Sequence, residues 1–327
     1  MLKKRFYILL FFCLLLGGNV NSSTVDKGDN NAPFENKRTE TDYLPIADPF
    51  VMLYNNKYYA YGTGGTVNEG FACFSSDDLK NWKRERQALS ADDSYGKWGF
   101  WAPEVYYIQS KKKFYMFYSV EEHICVATSD SPVGPFRQES KQPIWEEKSI
   151  DTSLFIDDDG TPYLYFVRFT DGNVIWVAQM TDDLMKIKKE TLSECIKAEE
   201  PWELLQAKVA EGPSLLKKNG VYYLIYSANH YENKGYGVGY ATSDTPMGPW
   251  VKYSKNPLLQ GDAATGLVGT GHGAPFQCKD GSWKYIFHAH WSAAEIQPRT
   301  SYIKDFAISD QGVVTISGTV IKPRVLK

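Results

Sequence analysis

The stretch Phe50-Val51-Met52-Leu53-Tyr54-Asn55-Asn56-Lys57-Tyr58-Tyr59-Ala60-Tyr61 reads as an apolar strand, a turn and an aromatic strand. Paired asparagines suit a tight hairpin because Asn tolerates positive φ. The pattern returns four times. Val105-Tyr106-Tyr107-Ile108 leads to Phe114-Tyr115-Met116-Phe117, and Leu154-Phe155-Ile156 leads to Tyr163-Leu164-Tyr165-Phe166. Leu215-Leu216 leads to Tyr222-Tyr223-Leu224-Ile225-Tyr226, and Phe276-Gln277 to Trp283-Lys284-Tyr285-Ile286-Phe287. The later turns, among them Asp157-Asp158-Asp159-Gly160, Lys218-Asn219-Gly220 and Lys279-Asp280-Gly281, carry the same chemistry. A third strand follows most hairpins, as in Val126-Ala127-Thr128-Ser129-Asp130 and Tyr240-Ala241-Thr242-Ser243-Asp244. Two of the turns after it are near-duplicates: Ser129 to Phe136 and Ser243 to Trp250. Antiparallel units recurring every roughly fifty to sixty residues predict radial repetition. The expected fold is all-β, a five-bladed β-propeller in a single domain.

Outside the repeat, the N-terminus has its own layout. Lys3-Lys4-Arg5 precedes an apolar run from Phe6 to Leu16, which is too short to span a bilayer and suits a secretory signal peptide. The expected boundaries are a signal peptide over 1–22, a flexible polar leader over 23–41 and the catalytic propeller over 42–327. Leu10-Phe11-Phe12 before Cys13 are too bulky for a lipoprotein cleavage site. Export to a secreted or periplasmic location is therefore expected over lipid anchoring. No later segment has the length and apolarity of a membrane span.

A formal charge of −3 without a dense basic stretch argues against nucleic acid as a partner. Lys111-Lys112-Lys113 and Lys217-Lys218 read as solvated turns. Cys73, Cys125, Cys195 and Cys278 match no metal or disulfide spacing and read as small buried residues, although a Cys73–Cys125 bridge stays open. The 22 Tyr, 17 Phe and 9 Trp fit strands and also suit sugar binding, since aromatic faces stack on pyranose and furanose rings. The expected partner is an oligosaccharide or polysaccharide, bound by a monomer.

In a propeller the first strand of each blade lines the central channel, so its residues converge from distant positions. About ten residues before each aromatic strand stand Asp48, Glu104, Asp151, Glu211 and His272. Taken singly, Asp48-Pro49 also reads as an Asx turn, Glu211-Gly212-Pro213 as an exposed loop and Trp101 as core. Taken together, four carboxylates and a histidine facing one channel repel and desolvate one another, a cost expected at a functional site and not of packing alone.

In order along the chain, Ala47-Asp48-Pro49, Trp101-Ala102-Pro103-Glu104, Ile150-Asp151, Glu211-Gly212-Pro213 and Gly271-His272-Gly273 resemble the motifs of glycoside hydrolase family 43, whose members are five-bladed propellers. The resemblance covers nearly the whole expected mature chain. It implies Asp48 as general base, Glu211 as general acid and Asp151 as the carboxylate that orients the acid and tunes its pKa. It implies Trp101 at the edge of the sugar pocket, Arg299 on substrate, and His272 beside an ion, often Ca2+, held through water. Glu104 is divided between a structural network and substrate contact.

Glycosidic cleavage needs a proton for the leaving oxygen and an activated attacker on the opposite face, with a gap for water in inverting enzymes. A charge on Asp151 is expected to keep Glu211 protonated. The expected function is thus an inverting glycoside hydrolase of plant cell-wall glycans, an α-L-arabinofuranosidase or β-xylosidase. One rival is a carbohydrate-binding propeller without catalysis. Another is a glycoside phosphorylase, which needs an anion-binding cluster drawn from Arg168, Arg299, His230, His288 and His290. The retaining sucrose- and fructan-cleaving propellers are disfavoured because their Trp/Asn-Asp-Pro-Asn run is absent.

Overall fold

Each aromatic strand of the repeat pairs on both sides, which puts its rings between neighbouring sheets. The computed structural model describes residues 43–64 and 69–326, so the expected signal peptide, and the leader with it, lie outside the described residues. Blade I contains β1 (Ala47–Tyr54), β2 (Lys57–Thr63), β3 (Gly70–Ser76) and β4 (Asn81–Ser90), all antiparallel. Blade II has three strands, β5 (Trp101–Ile108), β6 (Lys113–Val120) and β7 (His123–Ser129). One Thr128–Arg137 bridge stands where the other blades have a fourth strand. Blade III comprises β8 (Ser149–Ile156), β9 (Pro162–Phe169), β10 (Asn173–Gln179) and β11 (Ser193–Ile196). Blade IV comprises β12 (Ala210–Lys218), β13 (Val221–Ala228), β14 (Gly237–Ser243) and β15 (Val251–Lys252). Blade V holds β16 (Gly271–Gln277), β17 (Trp283–Ala289), β18 (Thr300–Ile308) and β19 (Val314–Ile321).

The first strands β1, β5, β8, β12 and β16 each touch the next around a closed ring. The core is distributed between the blades. Tyr61 and Phe71 of blade I pack on Met116 and Tyr118 of blade II, and Phe117 of blade II packs with Leu164 and Phe166 of blade III. Tyr165 of blade III meets Leu224 and Tyr226 of blade IV, and Ile225 of blade IV meets Tyr285 and Phe287 of blade V. Phe276 and Ile286 of blade V return to Ala60 and Trp82 of blade I. Fully burying one such ring is worth about 1.5–3 kcal/mol, so the aromatic strands supply the inter-blade cohesion. The near-duplicate turns serve one purpose twice: the Tyr61 hydroxyl donates to Pro132 O, and the Tyr165 hydroxyl donates to Pro246 O.

Closure uses both ends of the described chain. A short strand, β20 (Arg324–Val325), runs parallel to β4, with Arg324 N donating to Lys80 O at 2.8 Å and Leu326 N to Trp82 O at 2.7 Å. Before β1, Leu44 O accepts from Ser301 N, and Ile46 O accepts from Ser301 Oγ at 2.7 Å. Paired edges leave no open template there for another chain.

Two sequence readings change. Lys217 is no solvated turn: it lies within β12, and its Nζ sits 2.6 Å from Asp157 and 2.8 Å from Asp158 of the neighbouring blade. The four cysteines are free thiols, with Cys73, Cys125 and Cys278 buried as expected, and the Cys73–Cys125 bridge left open by the sequence is not formed. Among the described residues no helix is long and apolar enough to cross a membrane.

Candidate active site

All five inner strands slip register at the same step: between Ala47 and Phe50, Trp101 and Glu104, Ile150 and Ser153, Glu211 and Ser214, and Gly271 and Ala274. The residue just inside each slip is left-handed: Asp48 (φ 48°), Ala102 (φ 45°), Asp151 (φ 56°), Gly212 (φ 56°) and His272 (φ 38°). A bulge of this kind re-aims a side chain, and non-glycine residues at positive φ cost on the order of 1 kcal/mol each or more. Backbone strain is therefore concentrated in one ring at one end of the channel. The second strand of the preceding blade supports several of these residues. Ala102 N donates to Thr63 Oγ1 at 2.9 Å, Asp151 N to Ser119 Oγ at 2.9 Å and His272 N to Ser227 Oγ at 2.7 Å.

This register corrects the sequence alignment of the blades. Asp48, Asp151 and His272 are equivalent, as expected. Glu211 sits one residue earlier, in the position that Trp101 fills in blade II. Glu104 sits two residues beyond Ala102, deeper along β5, where the Tyr106 hydroxyl donates to it and also lies 3.4 Å from Ser153 Oγ. Burial pushes the Glu104 carboxyl up to about 8. It is absent from the residues lining the cavity at the ring, and of its two expected roles the network inside the channel is the one its contacts form.

That cavity, about 390 Å³, is lined by Asp48, Trp101, Asp151, Glu211, His272 and Arg299, with Asn173, Phe169, His230 and Tyr231 among the others. Asp48 is 9% exposed yet charged. Burial alone would raise its pKa, but Arg299, His272 and His288 together hold it well below the usual carboxylate range. Arg299 Nη1 donates to Asp48 Oδ1 at 2.8 Å, and His272 Nδ1 lies 3.4 Å from the same oxygen.

His288 is fully buried, and its Nδ1 stands 3.1 Å from both Asp48 N and Asp48 Oδ1. Burial, then the Arg299 charge, push it down to about 3, so the ring is neutral and carries one proton. Its Nδ1 accepts from the Asp48 backbone N–H, and its Nε2 lies 3.3 Å from Arg299 Nη1.

The other two carboxyls behave oppositely. Burial, with Asp48 adding repulsion, raises Glu211 to about 7 against the hydrogen bonds it accepts from Tyr236 Oη (2.8 Å, to Oε1) and Asn173 Nδ2 (2.9 Å, to Oε2). Asp151 is raised well above its ordinary value by burial, then by Glu211 and Asp48, and the Gly212 N–H donates to it. Desolvation thus leads, where the sequence reading gave the Asp151 charge as the cause. One ligand atom each of Asp151, Glu211 and His272 lie within 4.8 Å of one another. Ca2+ takes six to eight hard oxygen ligands, a set that two carboxyls and one imidazole do not supply by direct ligation. A dication there would also strip the proton from Glu211.

Against this geometry the sequence profile of Glycosyl hydrolases family 43 matches residues 44–314. The chain belongs to this family. It is 91% identical, at a TM-score of 0.87, to a crystal structure of endo-1,4-beta-xylanase from Bacteroides thetaiotaomicron VPI-5482, over 88% of this chain and 99% of that one. It is 27% identical over 268 residues to beta-D-galactofuranosidase xynD of Aspergillus niger, covering 75% of this chain and 74% of the relative. It is 29% identical over 293 residues to arabinoxylan arabinofuranohydrolase of Bacillus subtilis, covering 74% of this chain and 55% of that longer relative.

In this family 43 glycosidase, sequence reasoning missed Asn173, Tyr236 and His288 as neighbours of the carboxyls. They sit on or beside second and third strands, outside the motifs of the first strands. A phosphorylase-type anion cluster is not assembled: Arg168 is bound to Glu147 at 2.6 Å and stacked on Trp176, and His290 Nε2 is bound to Tyr231 O. Of the five groups expected for it, Arg299 and His230 line the cavity.

Proposed function

We propose that the protein is an inverting hydrolase of pentose-containing plant cell-wall glycans, cleaving arabinofuranosyl or xylosyl linkages. One observation carries this reading: a single cavity holds an ionised carboxylate, Asp48, and a carboxyl kept protonated toward neutral pH, Glu211. Two carboxyls with pKa values pushed apart are the signature of an acid and a base in one site.

Asp48 is the general base, taking a proton from the attacking water while Arg299 and His288 hold its orientation. Glu211 is the general acid, giving its proton to the leaving oxygen as the bond to the anomeric carbon breaks. Asp151, bonded to the Gly212 N–H, orients the strand segment that carries the acid. Trp101 and Phe169 supply apolar faces to the sugar, and His272 packs between Asp48 and Asp151. No step passes through a metal ion. Among the relatives the names of a xylanase and an arabinofuranohydrolase support xylosides and arabinofuranosides as the substrate class, while that of the galactofuranosidase points to a hexofuranoside. The run Phe6–Leu16 supports export of the mature enzyme.

The test is a screen of 4-nitrophenyl α-L-arabinofuranoside, β-D-xyloside and β-D-galactofuranoside with xylan and arabinan digests, reading the released anomer by proton NMR. Release of the inverted anomer from a pentoside supports the reading. A retained anomer, or binding without cleavage across the panel, defeats it.

A further inference from the structure

Glu211 is gripped at both oxygens by residues from two different blades. Asn173 opens β10 of blade III, and its Nδ2 donates to Oε2 at 2.9 Å. Tyr236, fully buried just before β14 of blade IV, donates from Oη to Oε1 at 2.8 Å. Neither belongs to a first strand, and each is anchored by other contacts. Asn173 N donates to Lys208 O at 3.0 Å, and the Tyr236 ring stacks on His288 at 5.6 Å with a 12° interplanar angle. A carboxyl with one free bond would rotate about its last torsion. One with a directional donor on each oxygen presents a fixed edge to the leaving group, which is worth much because misplacement by 1 Å can cost about a hundredfold.

We propose that Asn173 and Tyr236 are the positioning residues for the general acid, clamping the Glu211 carboxyl between blades III and IV so that it meets the leaving oxygen. The inference rests on the assignment of Glu211 as acid. Both donors also favour the ionised carboxyl, offsetting burial and the Asp48 charge, so they set the pH at which the acid releases its proton. The remaining charged or titratable groups around Glu211 are Asp48 on β1, Asp151 on β8, His272 on β16 and Arg299 ahead of β18, with Glu122, His230 and Tyr231 elsewhere on the cavity wall. None of the three variants below alters any of them.

The experiment compares Tyr236→Phe, Asn173→Ala and Glu211→Gln with the unaltered protein. The substrates are a 2,4-dinitrophenyl pentoside, whose leaving group needs no proton, and an unactivated xylo- or arabino-oligosaccharide. Tyr236→Phe keeps the buried ring, and a melting curve for each variant checks the fold. For Tyr236→Phe and Asn173→Ala the expected result is a loss of at least about tenfold in kcat/KM on the oligosaccharide, with a much smaller loss on the dinitrophenyl glycoside. The basic limb of the pH profile should move upward by about one unit, the equivalent of tenfold in the proton equilibrium. Equal losses on both substrates with an unmoved basic limb would overturn the clamp while leaving the acid in place. Full oligosaccharide turnover by Glu211→Gln would instead remove the acid assignment itself.

Discussion

Arg299 Nη1 lies 2.8 Å from Asp48 Oδ1 although 251 residues separate them, joining the start of β1 to the start of β18. The guanidinium is the first of the influences that hold Asp48 ionised against its burial. Arg299→Ala should therefore raise the Asp48 pKa and carry the acidic limb of the kcat/KM profile toward neutral pH, with turnover falling about a hundredfold or more, the scale of a general base. A pH–rate profile checks this. An unmoved acidic limb would mean that Arg299 serves substrate alone.

Asp48→Asn keeps the shape of the side chain and removes the proposed base. Turnover should fall by about 10²–10⁴-fold while the melting temperature stays within a few degrees. Steady-state kinetics and calorimetry on the same preparation decide the matter.

Glu211 holds its proton to about pH 7, so activity should decline above that pH. The same shift has a stability sign. The folded state binds a proton more tightly than the unfolded chain, so stability falls as pH rises from about 4.5 toward 7 and stays reduced above it. Glu211→Gln should then melt higher than the unaltered protein at pH 8, with little difference at pH 4. Melting curves at both values test it.

The arrangement of strands was legible in the sequence because hairpin chemistry and aromatic strands repeat at a fixed interval, and nothing but radial packing uses such a period. Asp48, Asp151 and His272 were legible as equivalents for the same reason. Glu104 was misplaced because a bulge is a backbone event: Ala102 and Gly212 occupy it in blades II and IV with no ionisable side chain to mark it. Asn173, Tyr236 and His288 were hidden for another reason. They reach the cavity from second and third strands, whose sequence signal is dominated by the packing between blades.

Gly212 allows no side chain. A Cβ there would stand 2.8 Å from His272 Cδ2 and 3.0 Å from Cγ, at φ 56°. Gly212→Ala should displace the imidazole and the neighbouring Glu211 together, lowering kcat by about a hundredfold. Kinetics with unchanged kcat would show that the ring has room to yield.

Removing residues 324–327 deletes at least two backbone hydrogen bonds that join β20 to blade I, Arg324 N to Lys80 O and Leu326 N to Trp82 O. At about 1 kcal/mol for each bond, and about 2–4 °C per kcal/mol for a domain this large, the melting temperature should drop by roughly 4–8 °C. Activity at 25 °C should persist, because no cavity residue lies in that segment.

The left-handed step recurs in every blade, yet it is filled by aspartate twice and by alanine, glycine and histidine once each. The backbone makes the same turn whatever side chain it carries. Five turns of one shape thus face a common space, four of them presenting a side chain to it and the fifth, Gly212, leaving room for the His272 ring. The ring therefore fixes where side chains enter the cavity, while their chemistry varies from blade to blade.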